Sequence, residues 1–464
     1  MLKTLINVFR VPELRNKILF TLAMLAVYRL GFWIPVPGIN QEELTQFFQR
    51  QDTSSAFAKA TLFMDTFSGG AFSQSTIFGL GIMPYISAGI IFQLLGSIPG
   101  SRLKKLQEEG PSGRQKVIEW TRYATVGLCI VQAAVYLGQA RGNNMVYPHL
   151  MNNPLWWVMS VTALTAGTVF LMWLGEQIDR HGIGNGVSMI IMAGILSRMP
   201  HALTQAYNSF DPTDPQKMGW MGVILLAVGF VGVIAGSVLM TVAQRRIPIQ
   251  QAKHTRGRRV FGGQKSYLPL RINHGGVMPI VFASSLMIFP SVIFSGLAEA
   301  ARTGGSSSGW WQSAVGWMAT QFTMGEFPYE VLYILMVYFF SYFWITVQFN
   351  PEEMSKQLKE HGSFIPGLRP GPRTAEYLET VMTRVTFVGA AFLCVIAVLP
   401  SVVNKSMNVD YNITQFLGGT GLLIVVSVTL DFLQRVEANL LMRNYAGFLS
   451  GNDESGPRLK GPRG

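Results

Sequence analysis

Ten blocks of apolar residues, long enough or nearly long enough to cross a bilayer, dominate the sequence. They lie at about 18–35, 77–97, 125–139, 155–175, 186–199, 220–242, 277–297, 329–347, 385–400 and 416–433. A helix traverses the hydrocarbon with about 20 apolar residues. Lipid offers no partner to an unpaired peptide group, so only helices or closed barrels can span it. The two-residue alternation of barrel strands is absent. Charge is also too scarce for a soluble alternative: 13% of the 464 residues are charged and 49% are hydrophobic, where a soluble domain carries roughly 25% charged. The expectation is an all-α polytopic membrane protein with ten transmembrane helices. The block at 186–199 is short for a span, so it either tilts or is partly shielded by protein.

Lys and Arg set the orientation. Of 37 such residues, 29 fall in the N-terminal arm, in 97–122, at Arg180, in 244–274, in 348–384 and in the tail from Arg435. These segments share one side, which the positive-inside rule makes cytoplasmic, with both termini there. The net charge of +12 therefore reads first as a basic cytoplasmic face. Cys129 and Cys394 both lie inside apolar blocks, with neither a disulfide framework nor metal-ligand spacing. The first apolar block has no small-residue cleavage site after it, so it reads as a retained span. The organisation expected is a cytoplasmic arm at 1–17, a first five-helix half at 18–200, an external connection at 201–217, a second half at 218–435 and a tail at 436–464, disordered from about 451.

Catalytic chemistry is missing. The six histidines fall in loops or at span ends, and no HExxH, GxSxG or Walker A sequence occurs. No enzyme, cofactor or metal site is expected. Ionisable residues inside spans mark proton and ion relays, and here the span centres are nearly free of them. Arg29 sits near the outer end of the first block, Glu176 and Asp179 flank the fourth, and Asp431 lies near the inner end of the tenth. That pattern opposes a proton-coupled transporter and fits a conduit driven from elsewhere.

Two blocks begin alike. Gly81-Ile82-Met83-Pro84 opens the second and Gly276-Val277-Met278-Pro279 the seventh. With ten spans, each is the second helix of a five-helix half, and matched Gly/Pro interruptions in inverted repeats point to a transport path. Before the second block, Phe67-Ser68-Gly69-Gly70-Ala71-Phe72-Ser73-Gln74-Ser75 is too short and polar to span. It is either a plain external loop or a re-entrant piece, tolerated only where protein or water surrounds it. Ile82 and Ile86, like Val187 and Ile191, are four apart and share a helix face; such pairs serve packing, lipid contact or a pore. Two long connections also share one side. The stretch 244–274 holds eight basic residues and no acidic ones, and 348–383 carries Ile365-Pro366-Gly367-Leu368-Arg369-Pro370-Gly371. Basic loops serve topology and lipid headgroups; a pair of long ones with rigid turns also makes a docking platform.

The sequence resembles the SecY family, the channel subunits of the bacterial protein translocase. The resemblance rests on Leu80-Gly81-Ile82-Met83-Pro84-Tyr85-Ile86-Ser87, on Trp173-Leu174-Gly175-Glu176-Gln177 followed by Gly182-Ile183-Gly184-Asn185-Gly186, and on Asn350-Pro351-Glu352-Glu353 and Phe416-Leu417-Gly418-Gly419-Thr420. It runs from about Leu14 to Leu449. It implies two pseudo-symmetric inverted halves around an hourglass pore, opening sideways between the second/third and seventh/eighth helices. It implies a pore ring of Ile82, Ile86, Val187, Ile191, Met278 and Ile424, in which Val187 and Met278 depart from the family's usual isoleucine. It implies a plug formed by Asp65, Thr66, Phe67, Ser68, Gly69, Gly70, Ala71, Phe72 and Ser73. Ser87, Gln93, Ser284 and Ser285 become candidates for a polar seam at the lateral gate, or for ordinary interhelical hydrogen bonds. Arg258, Arg259 and Arg369 match basic positions that bind the ribosome or the SecA motor. The partners implied are SecE, SecG, SecA, the ribosome, signal peptides, precursor polypeptides and membrane lipids, in the bacterial cell (inner) membrane. A secondary solute transporter is the main alternative, and it would require a compact polar site.

Overall fold

A computed structural model describes residues 11–50, 65, 68–98, 100–142, 145–151, 153–210, 219–251, 254–256, 259–261, 265–303, 309–322, 326–407, 413 and 419–450. Ten helices coincide in order with the ten apolar blocks. They are α1 (Pro12–Leu30), α3 (Met83–Ser97), α5 (Pro111–Gly142), α6 (Pro154–His181), α7 (Gly186–Asn208), α8 (Trp220–Val242), α9 (Met278–Thr303), α11 (Phe327–Gln348), α13 (Pro372–Met407) and α14 (Thr420–Ser450). Four shorter helices connect them: α2 (Gln41–Arg50), α4 (Arg102–Glu108), α10 (Gly309–Gln321) and α12 (Pro351–Glu360). Among the described residues, α5, α6, α7, α8, α11 and α13 are long and apolar enough to cross a membrane by length and composition. α3 and the start of α9 are apolar but shorter, and Asp431, Arg435 and Glu437 interrupt the apolar run of α14. The chain is a polytopic membrane protein of the all-α class, with small sheets in its long connections.

Helix starts follow from local chemistry. Asn153 accepts from the Leu155 amide at 3.0 Å and Asn185 from the Ser188 amide at 3.1 Å, capping α6 and α7. α3 begins later than the apolar block that contains it. Gly81 has φ +59° and Pro84 sits in the first helical turn, so residues 76–82 form turns and the helix starts only at Met83. The seventh block is built the same way: Gly276 has φ +60° and α9 begins at Met278-Pro279. Both glycines adopt the left-handed conformation that a side chain disfavours.

Four apolar clusters hold the molecule. The largest joins α1, α3, α6, α7, α9, α11, α13 and α14 through Ile86, Leu171, Ile195, Ile280, Phe340 and Ile424, among others. A second binds α2, α5, α6 and the extended segment before α2, with Trp156 at its centre; the Trp156 indole donates to the Pro37 carbonyl at 2.8 Å. A small cluster of Leu14, Ile18, Ile183 and Val436 ties the start of α1 to α14.

The stretch 244–274 corrects the reading of it as a loop. β1 (Gln244–Gln251) pairs antiparallel with β4 (Lys265–Arg271), from Gln244↔Arg271 to Gln250↔Lys265. β1 also pairs with β5 (Ser363–Phe364) of the other long connection, through Gln250↔Phe364 and Gln251↔Ser363. A small hairpin of β2 (His254–Arg256) and β3 (Arg259–Phe261) extends beyond it. Ile247 and Ile249 point inward while Arg245, Arg246 and Pro248 are exposed, the alternation of a half-buried strand. The inward face packs with Leu270, Phe349, Ile365, Leu378 and Met382.

The crossing of α6 and α7 leaves no room for a side chain. A Cβ on Gly186 would strike the Gly175 carbonyl oxygen and lie 2.8 Å from the Gly175 Cα. Gly186→Ala is therefore expected to lower stability by about 1–3 kcal/mol, the usual cost of overpacking. The thermal midpoint of the purified protein in detergent reads this, and an unshifted midpoint would contradict so close a crossing.

Candidate functional site

The six residues expected at the pore ring come from four helices: Ile82 and Ile86 from the start of α3, Val187 and Ile191 from α7, Met278 from α9 and Ile424 from α14. All six belong to the largest apolar cluster. Ile82, Ile86, Ile191 and Ile424 are buried, while Val187 and Met278 are partly buried. The glycine-rich turn before α7 sets where Val187 and Ile191 stand. Gly184 has φ +106°, and the Asp179 carboxylate accepts from the Gly186 amide at 2.7 Å. Nearby, Arg122 grips Glu176 with two hydrogen bonds of 2.8 and 2.7 Å. The polar residues of the second signature region thus fix a helix end and brace it against α5.

The described part of the expected plug, residues 65 and 68–73, forms a compact knot. Gly70 donates to the Asp65 carbonyl at 2.9 Å, and the Phe72 amide to Ser68 Oγ at 3.2 Å. Asp65 is buried, accepts from the Ser73 amide at 2.8 Å, and pairs with Arg198 of α7. Burial pushes the Asp65 carboxyl up from its ordinary range, while the Arg198 guanidinium and the Ser73 amide pull it down. Gly69, at φ +69°, rests on the Gly194 backbone, where an added Cβ would come within 2.7 Å of the Gly194 Cα. Hydroxyls complete the setting. Ser197 donates to the Gly69 carbonyl at 3.2 Å, Tyr28 to the Ser68 carbonyl at 3.4 Å, and Ser75 lies 2.7 Å from the Tyr136 hydroxyl. Phe72 packs its ring on Tyr136, 4.8 Å between centroids. Thr66 and Phe67 lie outside the described residues. The sequence marked Arg198 only as one of the few basic residues on this side; no spacing rule joins it to Asp65.

α3 touches α9, the pair expected at the lateral gate. Ser284 and Ser285 are buried and donate within α9 to the Ile280 and Val281 carbonyls, each at 2.7 Å. Ser284 also lies 2.9 Å from the Tyr333 hydroxyl of α11, so its side-chain bonds stay on the α9/α11 side of the seam. Ser87 and Gln93 are half-buried on α3. Gln93 lines a cleft of about 1130 Å³ between α3, α5 and α11, walled by Phe339 and Phe343 and edged by Lys104 and Arg114. Of the three basic residues expected to dock a partner, Arg369 is exposed on a rigid turn. Gly367 and Gly371 have φ +85° and +130°, and Ser355 donates to the Gly371 carbonyl at 2.7 Å. Arg259 opens β3, and Arg258 lies outside the described residues. Among the described residues no group of three or more His, Cys, Asp or Glu is placed to hold a metal ion.

Comparison with known proteins assigns the family. The SecY family model matches residues 76–433. The protein translocase subunit SecY of Chlamydia muridarum (strain MoPn / Nigg) is 40% identical over 470 residues, covering 98% of this chain and 100% of the relative. That of Thermotoga maritima is 42% identical over 445 residues, covering 96% of each. A solved protein-conducting channel superposes with a TM-score of 0.59 at 18% identity over 95% of both chains. Two others cover the same 95% of each chain. One is a SecY protein whose plug domain stabilises the closed state of the translocation channel, with a TM-score of 0.58 at 18% identity. The other is Sec61 in the canine ribosome–channel complex, with a TM-score of 0.56 at 17% identity. With the family model matched over most of its length and relatives matched almost end to end, the chain belongs to the SecY family of protein translocase channel subunits.

Proposed function

We propose that this chain conducts unfolded polypeptides across the bacterial cell (inner) membrane through a constriction of Ile82, Ile86, Val187, Ile191, Met278 and Ile424, closed on the far side by the segment 65–73. The observation that carries the reading is that these aliphatic side chains, supplied by both halves of the bundle, belong to one continuous apolar core. A narrow aliphatic ring expels water and so bars ions. It also offers a passing chain no fixed hydrogen-bond partner, so sequence does not govern passage. A transmembrane segment in transit is itself apolar, and it leaves sideways between α3 and α9 because lipid solvates it better than the pore does. The cleft between α3, α5 and α11 supports an opening that begins at the sheet-bearing end. A solute transporter would require a compact polar site at mid-membrane, which the apolar cluster opposes.

The sheet-bearing face is the cytoplasmic one in this reading, with both termini there. Its exposed Arg369, together with Arg258 and Arg259, would engage the ribosome or the SecA motor. A guanidinium pairs equally with phosphate and carboxylate. No phosphate-binding loop occurs in the chain, so the driving force comes from such a partner. SecE and SecG would complete the complex in the membrane.

Two experiments test the reading. Ile86→Asn or Ile191→Asn places an amide in the constriction, at about 1–3 kcal/mol of altered solvation. Resting ion conductance in planar bilayers is expected to rise about tenfold or more; no rise removes these residues from the ring. Arg369→Glu is expected to abolish motor-driven export into reconstituted vesicles while the chain still assembles in the membrane. Normal export of a signal-bearing precursor would strip Arg369 of its docking role.

A further inference from the structure

We propose that Asp65 and Arg198 form a catch that holds the segment 65–75 against α7 and sets how readily it leaves, so that Arg198 is a positioning residue for closure. The proposal rests on the reading of that segment as a plug. Asp65 is 1% exposed and joins two parts of the segment: its carboxylate receives the Ser73 amide at 2.8 Å and the Arg198 guanidinium. The guanidinium also donates to Ser73 Oγ at 3.2 Å and lies 3.1 Å from where a Cβ on Gly70 would stand. One side chain of α7 thus spans both ends of the knot.

An ion pair suits a part that must come away. Apolar side chains of the same volume would hold a buried site as well or better, because the pair bears the desolvation of two charges. When the segment moves into water, however, both charges regain hydration, which offsets the lost contact; apolar surfaces regain nothing. The other polar contacts are of the same exchangeable kind, made by the hydroxyls of Tyr28, Tyr136 and Ser197. The arrangement defines one closed geometry and still releases.

Removing one partner strands the other, so single substitutions should loosen the segment more than the double one. The test is thiol labelling of the full chain in lipid vesicles, with a charged maleimide on both sides. Ser68→Cys, at a position 2% exposed, serves as the reporter, with Cys129 and Cys394 replaced by Ala. Arg198→Met should raise the labelling rate by at least about tenfold, and Asp65→Asn/Arg198→Met should raise it less than Arg198→Met alone. If Arg198→Met does not accumulate, Arg198→Lys keeps the charge but not the guanidinium that meets Asp65 and Ser73 together, and should give a smaller rise. Equal labelling in every background overturns the catch. Conductance of the same vesicles separates the two claims. Labelling with a matching leak supports both, whereas labelling without a leak upholds the catch and removes the segment from the seal.

Discussion

A peptide group in hydrocarbon has nothing to bond with but another peptide group, and this constraint arranges the rest of the molecule. Where the chain is helical it can face lipid anywhere, and α8 leaves much of its surface exposed. Where it is not helical it must be enclosed. Residues 68–82 are the test case, because they are turns leading into α3. Their peptide groups are satisfied by short-range bonds within the segment, by backbone bonds with Ile34 and Val36, and by the hydroxyls of Tyr28, Tyr136 and Ser197. The glycines make this enclosure possible. Gly69 lies directly on Gly194, and Gly167 of α6 lies against the Ile77 carbonyl, so neighbouring helices close over the turns with no side chain between.

The same constraint shapes the electrostatics. Among the described residues, ion pairs join Arg122 to Glu176 near the end of α6, Arg198 to Asp65 against the non-helical segment, and Arg435 to Asp431 within α14. Arg29 stacks its guanidinium over Phe32, 4.7 Å from the ring centre, beside the end of α1. In the proposed pathway, whose constriction is aliphatic, cargo is selected by neither charge nor hydrogen bonding.

Much of this was legible in the sequence, for identifiable reasons. Length and hydropathy located all ten long helices, because hydrocarbon imposes both. Gly81 and Gly276 stood out by their matched Gly-to-Pro runs, and both lie just before a helix in the left-handed conformation that a side chain disfavours. The block at 77–97 misplaced the start of α3 by six residues, because apolar composition does not distinguish a buried turn from a buried helix. The sheet was missed because charge hid its pattern. In β1 the two-residue alternation rests on Ile247 and Ile249, set among Arg245, Arg246 and Pro248, and in β4 on Leu268 and Leu270 either side of Pro269. The partner of β1 in β5 lies in another connection altogether, and no local rule reaches it. Asp65 and Arg198 were equally out of reach, since a tertiary ion pair has no period. The residues proposed for the ring were named through family resemblance alone; an isoleucine pair four apart is common in any membrane helix.

The sharing of β1 between β4 and β5 has a mechanical consequence. Both long connections are knitted into one stiff handle, and its apolar footing is made entirely of residues from Ile247 to Met382. Whatever grasps the handle therefore takes hold of both connections at once, and bears on the ends of α11, α12 and α13, which supply the rest of its footing.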